Sequence, residues 1–193
     1  KDYVKRESVN IPSQEEINAT WDIVNNMDFC TTRDDMTYDT FASMHVKEPA
    51  IESSMIKSAS EFADTAIVTL SRFSAEGVDR RPIPSDYYLS DIEKNLLNEV
   101  TKCFKKVVVI INSGGVLDCE FLAENAGVNA ILMSWQGGLE GGSAIADIIF
   151  GDVNPSGKLA ETYPYKLEDT PCYDYFPGNT TTVEYREGIY IGY

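Results

Sequence analysis

The chain has 193 residues, about one domain by length, and with 43% apolar residues it can bury a core of its own. Its 31 Asp and Glu against 16 Lys and Arg leave a formal charge of −15. That balance argues against nucleic acid or an anionic membrane surface as partner, because clustered Lys and Arg hold both; a neutral ligand such as a sugar suits it, and so does solubility alone.

Residues 13–27 read as a short helix. Ser13 and Glu16 make a capping-box pair, and Ile17, Trp21 and Val24 recur at helical spacing. Residues 28–47 are polar and aperiodic, an irregular arm or linker. A helix is expected over 49–63, with Pro49 near its first turn and Ile51, Met55, Ala59 and Phe62 along its apolar face. From there the pattern becomes regular. Ala66–Leu70 is a β-branched run that reads as a strand. A polar loop follows over 71–89. Ser90-x-x-Glu93 is a second capping box, opening a helix with Ile92, Leu96, Leu97 and Val100 on one side. Val107–Ile111 is a second strand, apolar without alternation, as expected where both sheet faces are covered. A helix near 118–126, a third strand at 130–133 and a helix carrying Ala144, Ile145, Ile148 and Ile149 complete the series. That helix stops at Gly151, and Asn154-Pro155-Ser156-Gly157 makes a turn. The tail from 164, with its prolines and tyrosines, reads as irregular surface.

Strands alternating with helices predict a parallel sheet with helices on both faces, a three-layer α/β sandwich of flavodoxin-like kind. Ligands in such sheets collect beyond the carboxyl ends of the strands, here the loops 71–89, 112–117 and 134–140. The first reads Ser71-Arg72-Phe73-Ser74-Ala75-Glu76-Gly77-Val78-Asp79-Arg80. A carboxylic acid there can protonate a departing oxygen and later take a proton from water, provided that partial burial brings its pKa near working pH. A charged loop on an acidic protein can equally be plain solvated surface. In the third loop, Trp135 can stack on a sugar ring or fill core. The glycines after it suggest a close backbone approach at a helix start, where an anion such as phosphate is an alternative ligand.

Other chemistries fit poorly. Gly151 to Gly157-Lys158-Leu159 has five residues between the glycines where a P-loop has four, and Leu where Ser or Thr should hold Mg²⁺. His45 is the single histidine, and no G-x-S-x-G elbow exists for a triad. No zinc site is expected, and neither a metal nor an organic cofactor is called for. Cys30, Cys103, Cys119 and Cys172 are scattered, and free thiols are the expectation. Asn18-Ala-Thr and Asn179-Thr-Thr have the form of glycosylation triplets, which matters only in a secreted eukaryotic protein. No apolar run approaches the ~20 residues of a membrane helix. No hydrophobic signal region follows Lys1, which only leans the reading toward a cytoplasmic setting. Without a starting Met, the chain reads as processed or cut from something longer.

Taken together, the stretches over about residues 50–193 resemble glycoside hydrolase family 3. They include Ala75-Glu76-Gly77-Val78-Asp79-Arg80, Asp86-Tyr87-Tyr88-Leu89-Ser90, Asn112-Ser113-Gly114-Gly115 and Trp135-Gln136-Gly137-Gly138. Gly151-Asp152-Val153-Asn154-Pro155-Ser156-Gly157-Lys158-Leu159 is the most specific, and Tyr185–Tyr193 closes the series. The resemblance implies part of a retaining β-glycosidase, most similar to β-glucosidases, acting on β-linked oligosaccharides or aryl glycosides. In that family a TIM barrel supplies an Asp nucleophile, and the sandwich domain supplies the general acid/base from a Ser-Gly-Glu-Gly-x-Asp-Arg loop. Its Glu corresponds to Glu76, with Ala75 in place of the usual Gly. Arg72, Ser74, Asp79, Arg80 and Trp135 become supports or sugar contacts, with a local Asp79–Arg80 ion pair the plainer reading of those two. Ser85-Asp86-Tyr87 looks faintly like the nucleophile motif but falls inside the sandwich pattern. A chain of 193 residues cannot hold a barrel as well. We therefore expect residues 48–193 to be a truncated sandwich domain, residues 1–47 an arm, and the barrel to lie elsewhere. A non-catalytic sugar-binding or structural module and a flavodoxin-like small-molecule binder are the rival expectations.

Overall fold

The computed structural model describes residues 49–72, 80–176, 178–179 and 181–191. The helix expected over 13–27 and the arm to 47 lie outside these residues. Packing divides the chain into two compact units, Lys1–Ala50 with Phe73–Arg80, and Ile51–Arg72 with Arg81–Tyr193. The second unit contains nearly every described residue, and its architecture follows.

Its elements are α1 (Ser53–Phe62), β1 (Thr65–Ser71), α2 (Asp91–Cys103), β2 (Lys106–Asn112), α3 (Glu120–Glu124), β3 (Ala130–Met133) and α4 (Gly141–Phe150). Beyond α4 the described tail holds only two single 3₁₀ turns, Leu167–Asp169 and Gly188–Tyr190. The strands pair in parallel in the order β1-β2-β3. Val68 lies opposite Val109, and Ile110 opposite Leu132. This is the α/β alternation that the periodicities predict.

The core forms on one face of the sheet. Val68 and Leu70 of β1 and Val107, Val109 and Ile111 of β2 meet Leu97 and Val100 of α2, Leu122 of α3 and Ile56 of α1. Ile110 points the other way and is also buried, so β2 is covered on both faces and reads as unbroken apolar sequence. β1 is covered on one face only. Its Thr65, Thr69 and Ser71 are exposed, and Ile67 is 50% exposed, so it alternates as a half-buried strand does.

Two helices differ from expectation in phase. α1 starts at Ser53, after Glu52, and not near Pro49. Ile56, Ser60 and Ala63 are then the covered positions, at i, i+4 and i+7, while Phe62 is 94% exposed. In α2 the capping box is complete. Ser90 Oγ accepts from the Glu93 amide at 3.2 Å, and Glu93 Oε2 accepts from the Ser90 amide at 2.7 Å. Asp91 and Glu93 in the first turn and Lys102 in the last complement the helix dipole. Leu97 and Val100 are buried as expected; Ile92 is 40% exposed, and Glu93 is buried beside it. α4 ends at Gly151, whose φ of 83° turns the chain left-handed while its amide reaches Asp147 O and Ile148 O.

Two substitutions in α2 test this phase. Leu97→Ala should cost about 2–5 kcal/mol, because a fully buried side chain leaves a cavity. Ile92→Ala, one turn away on the exposed flank, should cost under about 1 kcal/mol. Urea unfolding reads both as shifts in midpoint at unchanged slope.

Candidate active site

The parallel register brings the three strand ends to one edge. Ser71 lies opposite Asn112 and Ile111 opposite Met133. Arg72, the Ser113 turn and Trp135 therefore leave the sheet side by side, over about 10 Å for strands ~4.8 Å apart.

Arg72 follows the last residue of β1. Its amide donates to Asn112 O at 2.9 Å, extending the ladder by one bond. Its side chain turns inward and is almost wholly buried. Nη1 donates to Glu93 Oε1 at 2.6 Å and Nη2 to Glu93 Oε2 at 2.9 Å, a bidentate pair. Nε donates to Asp86 O at 2.8 Å, and Nη1 also reaches Ser71 O at 2.9 Å. The sequence allowed Arg72 to be a support or a sugar contact; its guanidinium is engaged by these buried partners. The resemblance did not reveal Glu93 as its partner. A signal was present: the capping-box Glu begins the helix after the loop, and a buried guanidinium requires a carboxylate. Asp86, of the motif resembling a nucleophile, is buried, and its Oδ2 accepts from the Arg81 amide at 2.8 Å.

At β3 the ladder also continues one residue further. The Ser134 amide and Oγ both donate to Ile111 O at 2.9 Å. Trp135 then adopts φ 53°, a left-handed conformation rare for a bulky residue. Its ring is half-buried, between the two roles that the sequence left open. Such strain persists where the surroundings hold it, often at functional sites. The expected close approach holds at Gly137, where a Cβ would lie 3.1 Å from Gly141 Cα. A cavity of about 410 Å³ opens between β3 and α4, floored by Leu132, Met133, Ile145 and Ile148. On the middle strand, Ser113 is fully buried and its Oγ donates to Gly115 O at 2.7 Å, closing the turn.

Glu76, Ser74 and Asp79 lie outside the described residues, and with them the Asp79–Arg80 pair; Arg80 is described and half-buried. Cys103, Cys119 and Cys172 are free thiols, as expected. Two groups, buried Tyr87 and part-buried Cys119, hold their protons tightly. Burial, with the Asp118 charge second, pushes the Tyr87 hydroxyl up to about 12 and the Cys119 thiol up to about 11.

Residues 8–193 match the Glycosyl hydrolase family 3 C-terminal domain. The chain belongs to glycoside hydrolase family 3. β-Glucosidase A of Butyrivibrio fibrisolvens is 38% identical over 170 residues, covering 77% of this chain and 20% of that protein. The exo-α-(1→6)-L-arabinopyranosidase of Bifidobacterium breve is 38% identical over 149 residues, 76% of this chain and 19% of that one. Among solved structures, β-glucosidase 3B of Thermotoga neapolitana in complex with glycerol is 38% identical with a TM-score of 0.67, over 74% of this chain and 21% of that one. The chain thus spans about a fifth of the length of these family members.

The two raised pKa values predict an alkaline loss of stability. Tyr87 and Cys119 ionise ordinarily at 10.0 and 9.0. As pH rises past 9 the unfolded chain releases these protons first while the folded chain keeps them. The unfolded state then binds fewer protons, and stability falls with pH until the folded values near 11 and 12 are passed. The urea midpoint should drop between about pH 9 and 12, and less in a Tyr87→Phe, Cys119→Ala double variant.

Proposed function

We propose that this chain is the acid/base-bearing domain of a retaining β-glycosidase, with a β-glucoside as substrate and Glu76 as the general acid/base. The carrying observation is the family 3 match, whose relatives include β-glucosidases. In the sequence the Glu76 stretch directly follows Arg72, at the carboxyl end of β1, the sheet edge where ligands gather in parallel sheets. In the first half-reaction Glu76 gives its proton to the leaving oxygen as a second carboxylate forms the glycosyl-enzyme bond. In the second it takes a proton from the water that releases the sugar. Such carboxyls stand ~5 Å apart across the scissile bond, and we assign the nucleophile to a TIM-barrel domain of the full-length protein.

In this reading Arg72 supports the loop, Ser74, Asp79 and Arg80 support it or meet the sugar, and Trp135 offers a ring face at the neighbouring strand end. Residues 1–47 form an arm and residues 48–193 the sandwich proper. The family match begins at residue 8, so most of the arm belongs to the same domain family. Two relatives equally identical to this chain carry different names, a β-glucosidase and an exo-α-(1→6)-L-arabinopyranosidase. The residues shared with both therefore leave the choice of sugar largely to the rest of the protein.

In the full-length protein, Glu76→Gln should lower kcat on phenyl β-glucoside by ~10²–10⁴. Dinitrophenyl β-glucoside, whose leaving group needs no proton, should form the glycosyl-enzyme normally, and azide should then restore turnover as a nucleophile needing no base. Lost sugar affinity with unchanged turnover would favour a binding module instead. The 193-residue chain alone, with or without Glu76→Gln, should release no nitrophenol from nitrophenyl β-glucoside; release by the unsubstituted chain that Glu76→Gln abolishes would place the second carboxylate within it.

Trp135→Ala should raise KM several-fold with kcat nearly unchanged, the signature of a contact made equally in ground and transition states. Initial-rate kinetics on the same glucosides read this directly.

A further inference from the structure

The tail beyond α4 is irregular, as expected, but it folds back on itself. Its outgoing arm, Cys172–Phe176, is a tight turn in which the Tyr175 and Phe176 amides both donate to Cys172 O, at 2.9 and 2.8 Å. Its returning arm, Thr181–Glu187, is set by Asn179. The Asn179 side-chain oxygen accepts from the Thr181 amide at 2.9 Å, the Thr181 hydroxyl at 3.0 Å and the Thr182 amide at 2.8 Å. Side chains then tie the arms together. The Arg186 guanidinium lies 3.9 Å from the centre of the Tyr175 ring, and Glu184 Oε2 accepts from Arg186 Nε at 2.6 Å. Burial raises the pKa of the Cys172 thiol, and a hydrogen bond to the Glu187 carboxylate raises it further. Surface loops whose ends meet and whose own side chains pack them are frequently functional. This one starts near the carboxyl edge of the sheet. Tyr88, in the turn after β1, stands edge-on to Tyr87 with ring centres 5.0 Å apart. Burial and then the charges of Glu168, Asp118 and Tyr173 raise its hydroxyl above the ordinary value, so the tail passes close by.

Between the arms lies a cleft of about 250 Å³, lined by Asp174, Tyr175, Phe176, Asn179 and Glu184 among others. Its chemistry selects a ligand. Phe176 is 62% exposed, and Tyr175 is steadied on one face by Arg186, so aromatic surface is available in a fixed place. The two carboxylates accept from hydroxyls and repel anions, and the guanidinium nearby is engaged by Glu184. The three donors on the Asn179 oxygen leave that side chain its amide nitrogen as a donor. A pyranose ring meets all of these groups: its C–H face lies on an aromatic ring, and its hydroxyls reach carboxylate and amide. A phosphate would meet two negative charges. The volume is just below the ~300–1,000 Å³ of sites that enclose a drug-sized ligand, which suits one sugar ring and not a whole oligosaccharide.

We propose that this cleft is a carbohydrate-binding site that holds one ring of a β-linked oligosaccharide. The proposal is independent of the acid/base assignment; it rests on the β-glucosidase reading only for glucose as the sugar.

The test uses the full-length protein with its catalytic pocket filled by deoxynojirimycin, a glucose mimic, so that binding elsewhere is read. The probe is thio-linked cellotetraose, whose sulfur bridges resist cleavage. Saturation-transfer NMR reads contact between its C–H protons and the protein, and a titration gives Kd. Binding at one further site is expected. Phe176→Ala and Tyr175→Ala should each raise its Kd about fivefold to tenfold, the scale of one aromatic contact. Tyr175→Phe, which keeps the ring, should leave Kd nearly unchanged, and inorganic phosphate should not displace the probe. No transfer once the pocket is filled, or an unchanged Kd in both alanine variants, would overturn the proposal. A lower Tm for Phe176→Ala at unchanged Kd would overturn it too, because the ring would then be packing against another part of the protein. Failure of deoxynojirimycin to bind would count against the β-glucosidase reading, and the alanine variants would still test the cleft.

Discussion

A guanidinium almost wholly out of water is stable only with a full set of partners, and the Arg72–Glu93 pair supplies them. Desolvating two ions costs several kcal/mol each, which close bidentate geometry and further hydrogen bonds must offset. Here Glu93 Oε1 and Oε2 take Nη1 and Nη2 at 2.6 and 2.9 Å, and main-chain carbonyls take what remains. Lysine could not replace Arg72, because it has no planar fork to span both oxygens. Removing Glu93 would leave a buried unpaired cation, a much larger loss than the pair's own net worth. Because Glu93 is also the third residue of α2 and closes its capping box, one carboxylate joins the end of β1 to the start of the helix that covers the sheet.

The constraint explains a sequence feature that periodicity alone misreads. A charged residue at position 93 of an amphipathic helix ordinarily belongs on the wet side, with Ile92 inside. The ion pair reverses the two, leaving Ile92 40% exposed and Glu93 buried. In α1 the shift has a simpler cause. The helix begins four residues after Pro49, so Ile56 and not Met55 meets the core. Apolar surface is also left over. α4 carries Ile145, Ile148 and Ile149 yet has no buried residue, and Leu139 and Phe150 stand in solvent. Surplus of this kind marks surfaces that meet something else, in keeping with a chain about a fifth as long as its relatives.

The strands, the capping box of α2 and the stop of α4 at Gly151 were legible because each depends on a local rule. β-branched runs, a Ser-x-x-Glu pair and a left-handed glycine cap need no distant partner. The uncovered face of β1 was also written in its Thr and Ser positions, but it was overshadowed by the unbroken run of β2. The Arg72–Glu93 and Asp86–Arg81 contacts were not legible. They join residues 21 and 5 positions apart through a turn whose shape depends on Ser85 at positive φ, and no periodicity encodes that. Trp135 shows the same limit. Its identity suggests stacking or core, whereas its left-handed backbone comes directly after Ser134, which holds β3 to β2 one residue longer.

The pairing also bears on the chemistry assigned to Glu76. A general acid must still carry its proton at working pH, and a nearby unpaired guanidinium would strip it by favouring the carboxylate. Arg72 lies four positions before Glu76 in the sequence, and an unpaired charge there would work against the role. Glu93 neutralises it. The buried pair acts on its surroundings as a dipole and not as a net cation, with a field that fades faster with distance. The chain's overall charge of −15 acts the other way, disfavouring one more carboxylate, although salt screens it beyond ~8–10 Å. The same carboxylate that makes Arg72 tolerable in the core thus lets an arginine anchor the end of β1 without leaving a net positive charge there.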